Sequence, residues 1–470
     1  MQIDEKLISS IVEQVMKNVQ AQVATTGIPA ADGKFGIFTE LDDAMGSAVK
    51  AQQELVKLSL EKREELVQAM RAIAIQNAAP MAKMAAEETR LGRVEDKITK
   101  NINASKFTPG TEDIQPKVFT SDDGMTLVER LPFGVLVAIC PTTHPVALVV
   151  NNAIAFVASG NAAFFCPHPR AQKSSLKTVQ MLNEAIIKAG GPANLLVAVE
   201  NATLEVVDKA VKHASTKMVV ASGGPAVVKA ALTSGKPAVA AGAGNPPALV
   251  DETADIKQAA RDIVAGHSFD NNLLCIAEKS VMVVESVADA LIAEMQKCGA
   301  YLVKGAEADK LSALCVKDGH VNADCVGQDA AKILAQIGIS APPETRCAIF
   351  ESSADHALVQ LEQLMPVLPL VRVKDFAAGV DACKQAEHGY GHTAIIHSKD
   401  ITRITRFSQL MGCTLLVVNT PSGASLHIGA PGQFSHTVAG PTGQGVAVPS
   451  TFTRECRIIL GNAISRFAVL

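Results

Sequence analysis

Cys275 has the strongest case for covalent chemistry among the ten cysteines of this sequence. It lies in SFDNNLLCIAEKS, residues 268–280, where the polar, turn-prone SFDNN is followed by an apolar run that predicts the start of a strand. A thiol between a loop and a strand can be partly exposed, and backbone N–H groups there can serve an oxyanion. The stretch therefore indicates either a cysteine nucleophile or a buried structural thiol, since free cysteine is also a common core residue.

Glycines mark a second candidate site after a predicted strand. In VVASGGPAVVKAAL the strand ends at Ser222, Gly223 and Gly224, and a helix begins at or just after Pro225. Glycines at this position permit a tight turn and let a phosphate approach the free N–H groups of the helix. The pattern is not GxGxxG, so it indicates either a phosphate-binding turn or an ordinary strand-to-helix connection.

A third glycine-rich stretch, AAGAGNPPALVDETAD at residues 240–255, carries no acid, base or metal ligand before Asp251. Gly242 and Gly244 indicate a close approach of the backbone to another group. The histidines of the chain have irregular spacings and no cysteine or carboxylate pairs with them, so we assign no metal site.

The elements that must position these residues alternate between strand and helix. The short apolar runs GVLVAICP, NAAFFCP, LLVAVE, KMVVAS and PAVAAG are each followed by a turn signal, and helical stretches lie between them. A second alternating series starts near PALVDETAD and continues to about residue 430. This alternation is typical of parallel sheets covered on both faces, so we predict two α/β domains.

Two further segments resemble arms of the molecule. Residues 116–132 form a hairpin pattern with DDG at its tip, and STFTRECRIILGNAISRF near the C-terminus predicts a strand followed by a short helix. Exposed strand edges need pairing, so we expect a homo-oligomer.

The N-terminal residues 1–23 have apolar residues at three- and four-residue steps, which predicts an amphipathic helix. Residues 24–35 are small and polar with glycine and proline, which is typical of a linker. The helix either packs on its own domain or docks in a groove of another protein.

Composition excludes several classes of protein. The 470 residues carry a net charge of −4, so nothing suggests a nucleic-acid surface. No uninterrupted apolar stretch is long enough to span a membrane, and the N-terminus lacks the features of a signal peptide. Scattered cysteines without a CxxC pair are typical of a reduced, intracellular protein.

Taken together, these segments resemble the aldehyde dehydrogenase superfamily and, more narrowly, its coenzyme-A-acylating branch, the propionaldehyde and acetaldehyde dehydrogenases of bacterial microcompartments. The resemblance covers nearly the whole chain. It rests on several motifs in the same order: LGRVEDK (91–97), TPGTED (108–113), GAGNPPALVDETAD, SFDNNLLCIAEK, QLMPVLPLVRVKD (363–375) and PTGQG (441–445).

The resemblance implies an aldehyde dehydrogenase-like α/β fold with a Rossmann-like nucleotide-binding domain, a catalytic domain and a β oligomerisation arm. The implied boundaries are residues 36–240 for the nucleotide-binding domain, 241–430 for the catalytic domain, and 431–470 for the return segment and oligomerisation strand. Residues 116–132 would be a hairpin arm of the first domain.

The resemblance also implies roles for individual residues. Cys275 matches the nucleophile, Glu362 falls where a carboxylate holds the nicotinamide ribose, and Pro167 and His168 match the strand end near the adenosine. The full set of implied cofactor contacts is Thr142, Pro167, His168, Ser222, Gly223, Gly224, Gly242 and Glu362.

The acid-free loop bears on the implied product. Hydrolytic members carry a glutamate where this chain has Ala241, and residues 242–245 offer no base either. Without a general base water attacks a thioester slowly, so we expect coenzyme A to accept the acyl group and NAD to accept the hydride. We expect a short aldehyde, propanal ahead of acetaldehyde; the alternatives are a hydrolytic enzyme giving free acid and a catalytically dead scaffold protein.

The segment PTTHP, residues 141–145, departs from the family pattern. Thr143 aligns with an asparagine that donates to the oxyanion in the superfamily, so we expect its hydroxyl to take that role. The acylating branch has TNP where this chain has Thr143, His144 and Pro145. His144 is either a proton acceptor for coenzyme A or a packing residue.

The resemblance finally implies a location and partners. We expect the protein in the cytoplasm, inside a bacterial microcompartment, as a homodimer or homotetramer. Residues 1–23 would then bind a microcompartment shell protein or other encapsulated enzymes.

Overall fold

The computed structural model describes residues 33–461, so the N-terminal helix predicted for residues 1–23 and the short helix predicted after the last strand lie outside the described residues. The strands within this range are β1 (Ile37–Phe38), β2 (Lys117–Ser121), β3 (Gly124–Pro132), β4 (Val135–Ile139), β5 (Ala162–Cys166), β6 (Leu196–Val199), β7 (Thr216–Ser222), β8 (Ala238–Ala241), β9 (Pro247–Val250), β10 (Ser280–Val284), β11 (Ala300–Leu302), β12 (Val316–Lys317), β13 (His320–Val321), β14 (Cys347–Ser352), β15 (Val367–Val373), β16 (Thr393–His397), β17 (Leu415–Val418), β18 (Val438–Ala439), β19 (Gly445–Val446) and β20 (Thr453–Gly461).

The α-helices in the same range are α1 (Leu41–Leu55), α2 (Leu60–Gln76), α3 (Ala78–Thr89), α4 (Val94–Phe107), α5 (Pro145–Ala158), α6 (Gln172–Lys188), α7 (Leu204–Lys212), α8 (Pro225–Leu232), α9 (Ile256–Ser268), α10 (Glu285–Lys297), α11 (Ala306–Cys315), α12 (Ala330–Ala335), α13 (Ala357–Gln360), α14 (Phe376–Glu387) and α15 (Ile401–Met411).

The first half of the chain forms a six-stranded parallel sheet in the order β1-β6-β5-β4-β7-β8. Strands β4 and β5 are buried along their whole length, which explains their continuous apolar sequences. The chain leaves β4 towards β5 and β6 on one side and later continues to β7 and β8 on the other. This reversal opens a crevice beyond the carboxyl ends of β4 and β7, where ligands bind in open α/β sheets.

The second half forms a seven-stranded parallel sheet in the order β11-β14-β15-β10-β9-β16-β17. The predicted α/β class with parallel sheets is therefore confirmed. Strand β9 follows the glycine-rich loop that leaves β8, so the loop connects the two sheets. The predicted position of Cys275 at the start of a strand is wrong in detail, because Cys275 lies in a turn and β10 begins only at Ser280.

The predicted hairpin is formed by β2 and β3, which pair antiparallel, and β20 pairs with the other edge of β3 over its full length. The predicted C-terminal strand is thus present, and it lies beside the hairpin rather than in either large sheet. Apolar side chains on this three-stranded sheet remain in solvent, with Val118 55%, Phe119 60% and Ile459 72% exposed. No helix within residues 33–461 has the length and apolar character needed to cross a membrane.

Candidate active site

One cavity of about 860 Å³ lies where the carboxyl ends of the first sheet meet the Cys275 turn. This volume is within the range of roughly 300–1,000 Å³ that small-molecule and cofactor sites occupy. All ten residues to which the sequence analysis gave a chemical or binding role line it: Thr142, Thr143, Pro167, His168, Ser222, Gly223, Gly224, Gly242, Cys275 and Glu362.

The turn that carries Cys275 is held in an unusual backbone conformation. Asp270, Asn271 and Asn272 are three consecutive residues with positive φ, at 47°, 53° and 66°. Asp and Asn enter this left-handed region more readily than other non-glycine residues, but each such residue still costs roughly 1–3 kcal/mol. The surrounding contacts must therefore hold the turn.

Buried charges hold its first residue. The Asp270 carboxylate is fully buried and forms ion pairs with Lys100 and, at 3.2 Å, with Lys97, both from α4. Its other oxygen accepts a hydrogen bond from the backbone N–H of Arg93 at 2.8 Å. Both ammonium groups also donate to the carbonyl oxygen of Thr143, at 3.4 Å from Lys97 and 3.1 Å from Lys100. The cluster thus ties the Cys275 turn to the segment that follows β4.

A second lysine network holds the end of the turn. The buried Lys279 ammonium donates to the carbonyl oxygens of Asn272 at 2.9 Å and Leu274 at 3.0 Å. The Asn271 side chain donates to the carbonyl of Gly327 at 2.9 Å, which anchors the middle of the turn. Cys275 is therefore presented by a rigid turn, as a nucleophile needs.

The Cys275 thiol is protonated in the free protein at neutral pH. Burial and, after it, the negative charge of Glu362 raise the pKa of this thiol to about 12. The Lys279 ammonium and the backbone N–H groups of Cys275 and Ile276 act in the opposite direction. A nucleophile in this environment needs a proton acceptor or a change in local charge before it reacts.

Glu362 brings a carboxylate to the glycine-rich loop that has none of its own. Its Oε1 accepts a hydrogen bond from the backbone N–H of Gly244 at 3.4 Å. Burial raises the pKa of this carboxyl, and the Lys279 charge opposes that shift. A Cβ atom at Gly244 would lie 2.7 Å from the carbonyl oxygen of Cys275, so only glycine fits between this loop and the Cys275 turn. Sequence reasoning did not anticipate that Glu362 would lie against this loop.

We expect Glu362→Gln to speed the alkylation of Cys275 by iodoacetamide severalfold at pH 8–9. Removing the Glu362 charge removes one cause of the raised pKa of the Cys275 thiol. Each pKa unit by which the thiol pKa falls gives about tenfold more thiolate, and a lower nucleophilicity of that thiolate offsets part of the gain. The rate is measured by mass spectrometry of the Cys275 peptide. An unchanged rate across this pH range would show that the Glu362 charge does not act on the thiol.

In the unsubstituted protein the rate of Cys275 alkylation should rise about tenfold per pH unit, because pH 8–9 lies below the thiol pKa.

The glycine turn has the properties of a dinucleotide site. The Ser222 hydroxyl is buried and lacks a hydrogen-bond partner among the described residues, although it lines the cavity. Gly224 is the N-cap of α8, and no side chain caps the free N–H groups of that helix start. A phosphate would satisfy both, so these residues fit a nicotinamide dinucleotide.

Several residues of the site were missed by sequence reasoning. Lys97 and Lys100 are three apart on one helix face, a spacing that could have suggested a common partner, but nothing in the sequence pointed to Asp270. His392 is buried against Gly244, and its Nε2 lacks a partner among the described residues. Burial lowers the pKa of His392 to about 4, so this imidazole is neutral. Within residues 33–461 no group of three or more histidine, cysteine or acidic side chains could hold a metal ion.

Comparison with known proteins places the chain in a family. Residues 20–433 match the model of the aldehyde dehydrogenase family. The chain is 40% identical over 460 residues to the acetylating acetaldehyde dehydrogenase EutE of Salmonella typhimurium, which covers 96% of this chain and 98% of the relative.

Solved structures give the same result. The propionaldehyde dehydrogenase of Rhodopseudomonas palustris, with bound CoA and an acylated cysteine, is 42% identical with a TM-score of 0.90, covering 92% of this chain and 99% of that one. The same values apply to a propionaldehyde dehydrogenase from the fucose utilisation bacterial microcompartment of Clostridium phytofermentans. A family match over most of the chain and relatives at this level of identity establish that the chain belongs to the aldehyde dehydrogenase family.

Proposed function

We propose that this protein oxidises a short aldehyde with NAD and coenzyme A to an acyl-CoA and NADH. The observation that carries the proposal is the presence, in one cavity, of a cysteine in a rigid turn and a loop at residues 241–245 that has no acid or base. The similarity to acetylating and propionaldehyde dehydrogenases supports the same activity.

The first half-reaction makes a thioester on the enzyme. The thiol releases its proton to solvent, the Cys275 sulfur attacks the carbonyl carbon, and the carbonyl oxygen gains negative charge. The backbone N–H of Cys275 and a donor from the segment at Thr143 stabilise that oxygen. NAD supplies the acceptor for the hydride that leaves the same carbon. The carbon–oxygen double bond then re-forms, and a thioacyl-enzyme remains.

The other residues that line the cavity would bind the cofactor. Ser222, Gly223 and Gly224 would hold the phosphates at the start of α8, and Glu362 would hold the nicotinamide ribose. Pro167 and His168 follow β5 and would lie near the adenosine, with Thr142 and Gly242 completing the contacts.

The second half-reaction transfers the acyl group to the thiol of coenzyme A. The new sulfur–carbon bond forms as the bond to Cys275 breaks, so one thioester replaces another. Water is the competing nucleophile, and its attack without a general base is slower by about 10²–10⁴. Ala241 and Gly242 line the cavity and supply no such base. Glu362 would not activate water either, because in this proposal its carboxylate binds the nicotinamide ribose.

The experiment that tests this function is a product analysis with two- to five-carbon aldehydes and NAD, with and without coenzyme A. We expect acyl-CoA and NADH in equal amounts, with propanal the best substrate ahead of acetaldehyde. Multiple turnovers to free acid without coenzyme A would indicate the hydrolytic alternative. Absence of NADH with every aldehyde would indicate a scaffold without activity.

The domain assignment and the assembly are also proposals. Residues 36–240 would form the nucleotide-binding domain, 241–430 the catalytic domain, and 431–470 a return segment that ends in an oligomerisation strand. The exposed apolar side chains of β2 and β20, including Phe119 and Ile459, support pairing of this arm with a second copy of the chain. The similarity to a protein from a bacterial microcompartment supports a location inside such a compartment in the cytoplasm. Residues 1–23 would be the docking segment.

We expect deletion of residues 1–20 to leave turnover and NAD affinity nearly unchanged, because the apolar face of this helix would serve a partner rather than the site. A fusion of residues 1–23 to a fluorescent reporter should enter the compartment. Replacing both Leu7 and Ile11 with Glu should abolish that recruitment, since the change breaks the apolar face at its centre. Loss of catalysis on deletion would instead place the helix against its own domain.

A further inference from the structure

His144 is a buried imidazole that lines the same cavity as Cys275. Its ring is fixed on two sides: Nδ1 lies 2.8 Å from the hydroxyl oxygen of Thr143, and the ring stacks on that of His436 with centroids 5.2 Å apart. Within residues 33–461 the hydrogen bond of this ring is the one at Nδ1, and Nε2 makes none. A ring oriented this firmly with one nitrogen left unpaired in a reactive cavity is placed to bind an atom of the substrate.

The surroundings of His144 disfavour a positive charge on it. Lys97 and Lys100 converge on the carbonyl oxygen of the preceding residue, and their two charges face a single buried carboxylate, Asp270. Burial, and after it the electrostatic effects of Lys100, His436 and Lys97, lower the pKa of His144 well below its ordinary value. Burial and Lys100 likewise lower the pKa of His436 to about 3. Both rings are therefore neutral at physiological pH.

A neutral imidazole has one N–H donor and one acceptor nitrogen. If Thr143 O–H donates to Nδ1, the ring carries its proton on Nε2, and that N–H is free to donate into the cavity. We propose that His144, through Nε2–H, donates a hydrogen bond to the substrate oxygen as Cys275 attacks the carbonyl carbon. The Thr143 hydroxyl then orients the imidazole and does not itself contact that oxygen, contrary to the role that sequence reasoning gave it.

The role is that of a donor and not of a base. The Nε2 proton stays on the imidazole throughout. Negative charge develops on the substrate oxygen as Cys275 attacks, and the oxygen loses that charge when the hydride leaves and the carbonyl double bond re-forms. A neutral ring suits this task, because it stabilises the oxyanion without adding a titrating group at working pH. This inference rests on the proposed aldehyde oxidation and names the side-chain donor that the reaction uses.

The test compares three variants. His144→Phe keeps a stacking ring without a donor, His144→Asn keeps a donor, and Thr143→Val removes the hydroxyl that orients the ring. The matched control is His397→Asn, at a buried histidine that does not line the cavity. Two rates are measured for each: the NADH burst with propanal and NAD in the absence of coenzyme A, and the alkylation of Cys275 by iodoacetamide. Alkylation forms no oxyanion, so a donor to the substrate oxygen should not affect it.

We expect His144→Phe to slow the burst by about 10²–10³, the usual effect of losing one oxyanion donor, with alkylation unchanged. His144→Asn should retain the burst within about tenfold, and Thr143→Val should be milder than His144→Phe. If His144→Phe does not fold, the burst and alkylation rates of His144→Ala replace it.

Three results would overturn the proposal. A full burst in His144→Phe would make the imidazole a packing residue, and an equal loss of alkylation would assign it to thiol activation or to positioning. A greater loss in Thr143→Val than in His144→Phe would make the hydroxyl the donor. An unsubstituted protein without any NADH burst would refute the proposed function itself, which is a separate outcome.

Discussion

Cys275→Ala should lower acyl-CoA formation by at least roughly 10⁴-fold, because in the proposed reaction the acyl group is attached to this sulfur. Binding of NAD in the cavity does not require the thiol, so we expect the NAD affinity of this variant to stay unchanged. We also expect its oligomeric state to stay unchanged. The assay is NADH release with propanal and coenzyme A, followed by chromatography of the acyl-CoA.

The matched control is Cys413→Ala, which removes a half-buried thiol outside the cavity. This variant should keep the activity of the unsubstituted protein. Residual activity of more than a few per cent in Cys275→Ala would contradict the assignment of the nucleophile.

Asp270→Asn should destabilise the protein by about 3–5 kcal/mol, the cost of leaving buried charges without their partner. The amide can keep the left-handed backbone and the contact to the Arg93 N–H, but the ammonium groups of Lys97 and Lys100 lose their only ion-pair carboxylate in the described residues. Because the turn also presents Cys275, the NADH burst should fall with the stability. Urea denaturation and burst kinetics measure the two effects.

The compensating variant sharpens this test. Adding Lys97→Met to Asp270→Asn removes one of the two uncompensated charges, so the double variant should regain part of the lost free energy of unfolding. A single variant as stable as the unsubstituted protein, or a double variant less stable than the single one, would show that the cluster does not hold the turn.

Local patterns were sufficient to predict much of the fold. The runs around β4, β5 and β7 are apolar throughout because both faces of the sheet are covered, and such runs are readable without a structure. The hairpin at β2 and β3 was equally local, because its DDG turn fixes the pairing.

The contacts that position the site depend on residues far apart in the chain. Lys100 and Asp270 are brought together only by the packing of α4 against the turn before Cys275, and no local pattern encodes that contact. The same holds for Glu362, which contacts Gly244 although the two residues are 118 positions apart in the chain. Sequence reasoning placed Cys275 at the start of a strand because the apolar LLCIA follows SFDNN, but left-handed residues and Lys279 fold this stretch into a turn instead.

Mass spectrometry of the protein after reaction with propanal and NAD, without coenzyme A, tests the central claim most directly. We predict one propionyl group on the Cys275 peptide and one equivalent of NADH. Addition of coenzyme A should then remove the group and give an equal amount of propionyl-CoA. An acyl group on another residue, or its release as propanoate before coenzyme A is added, would contradict the account.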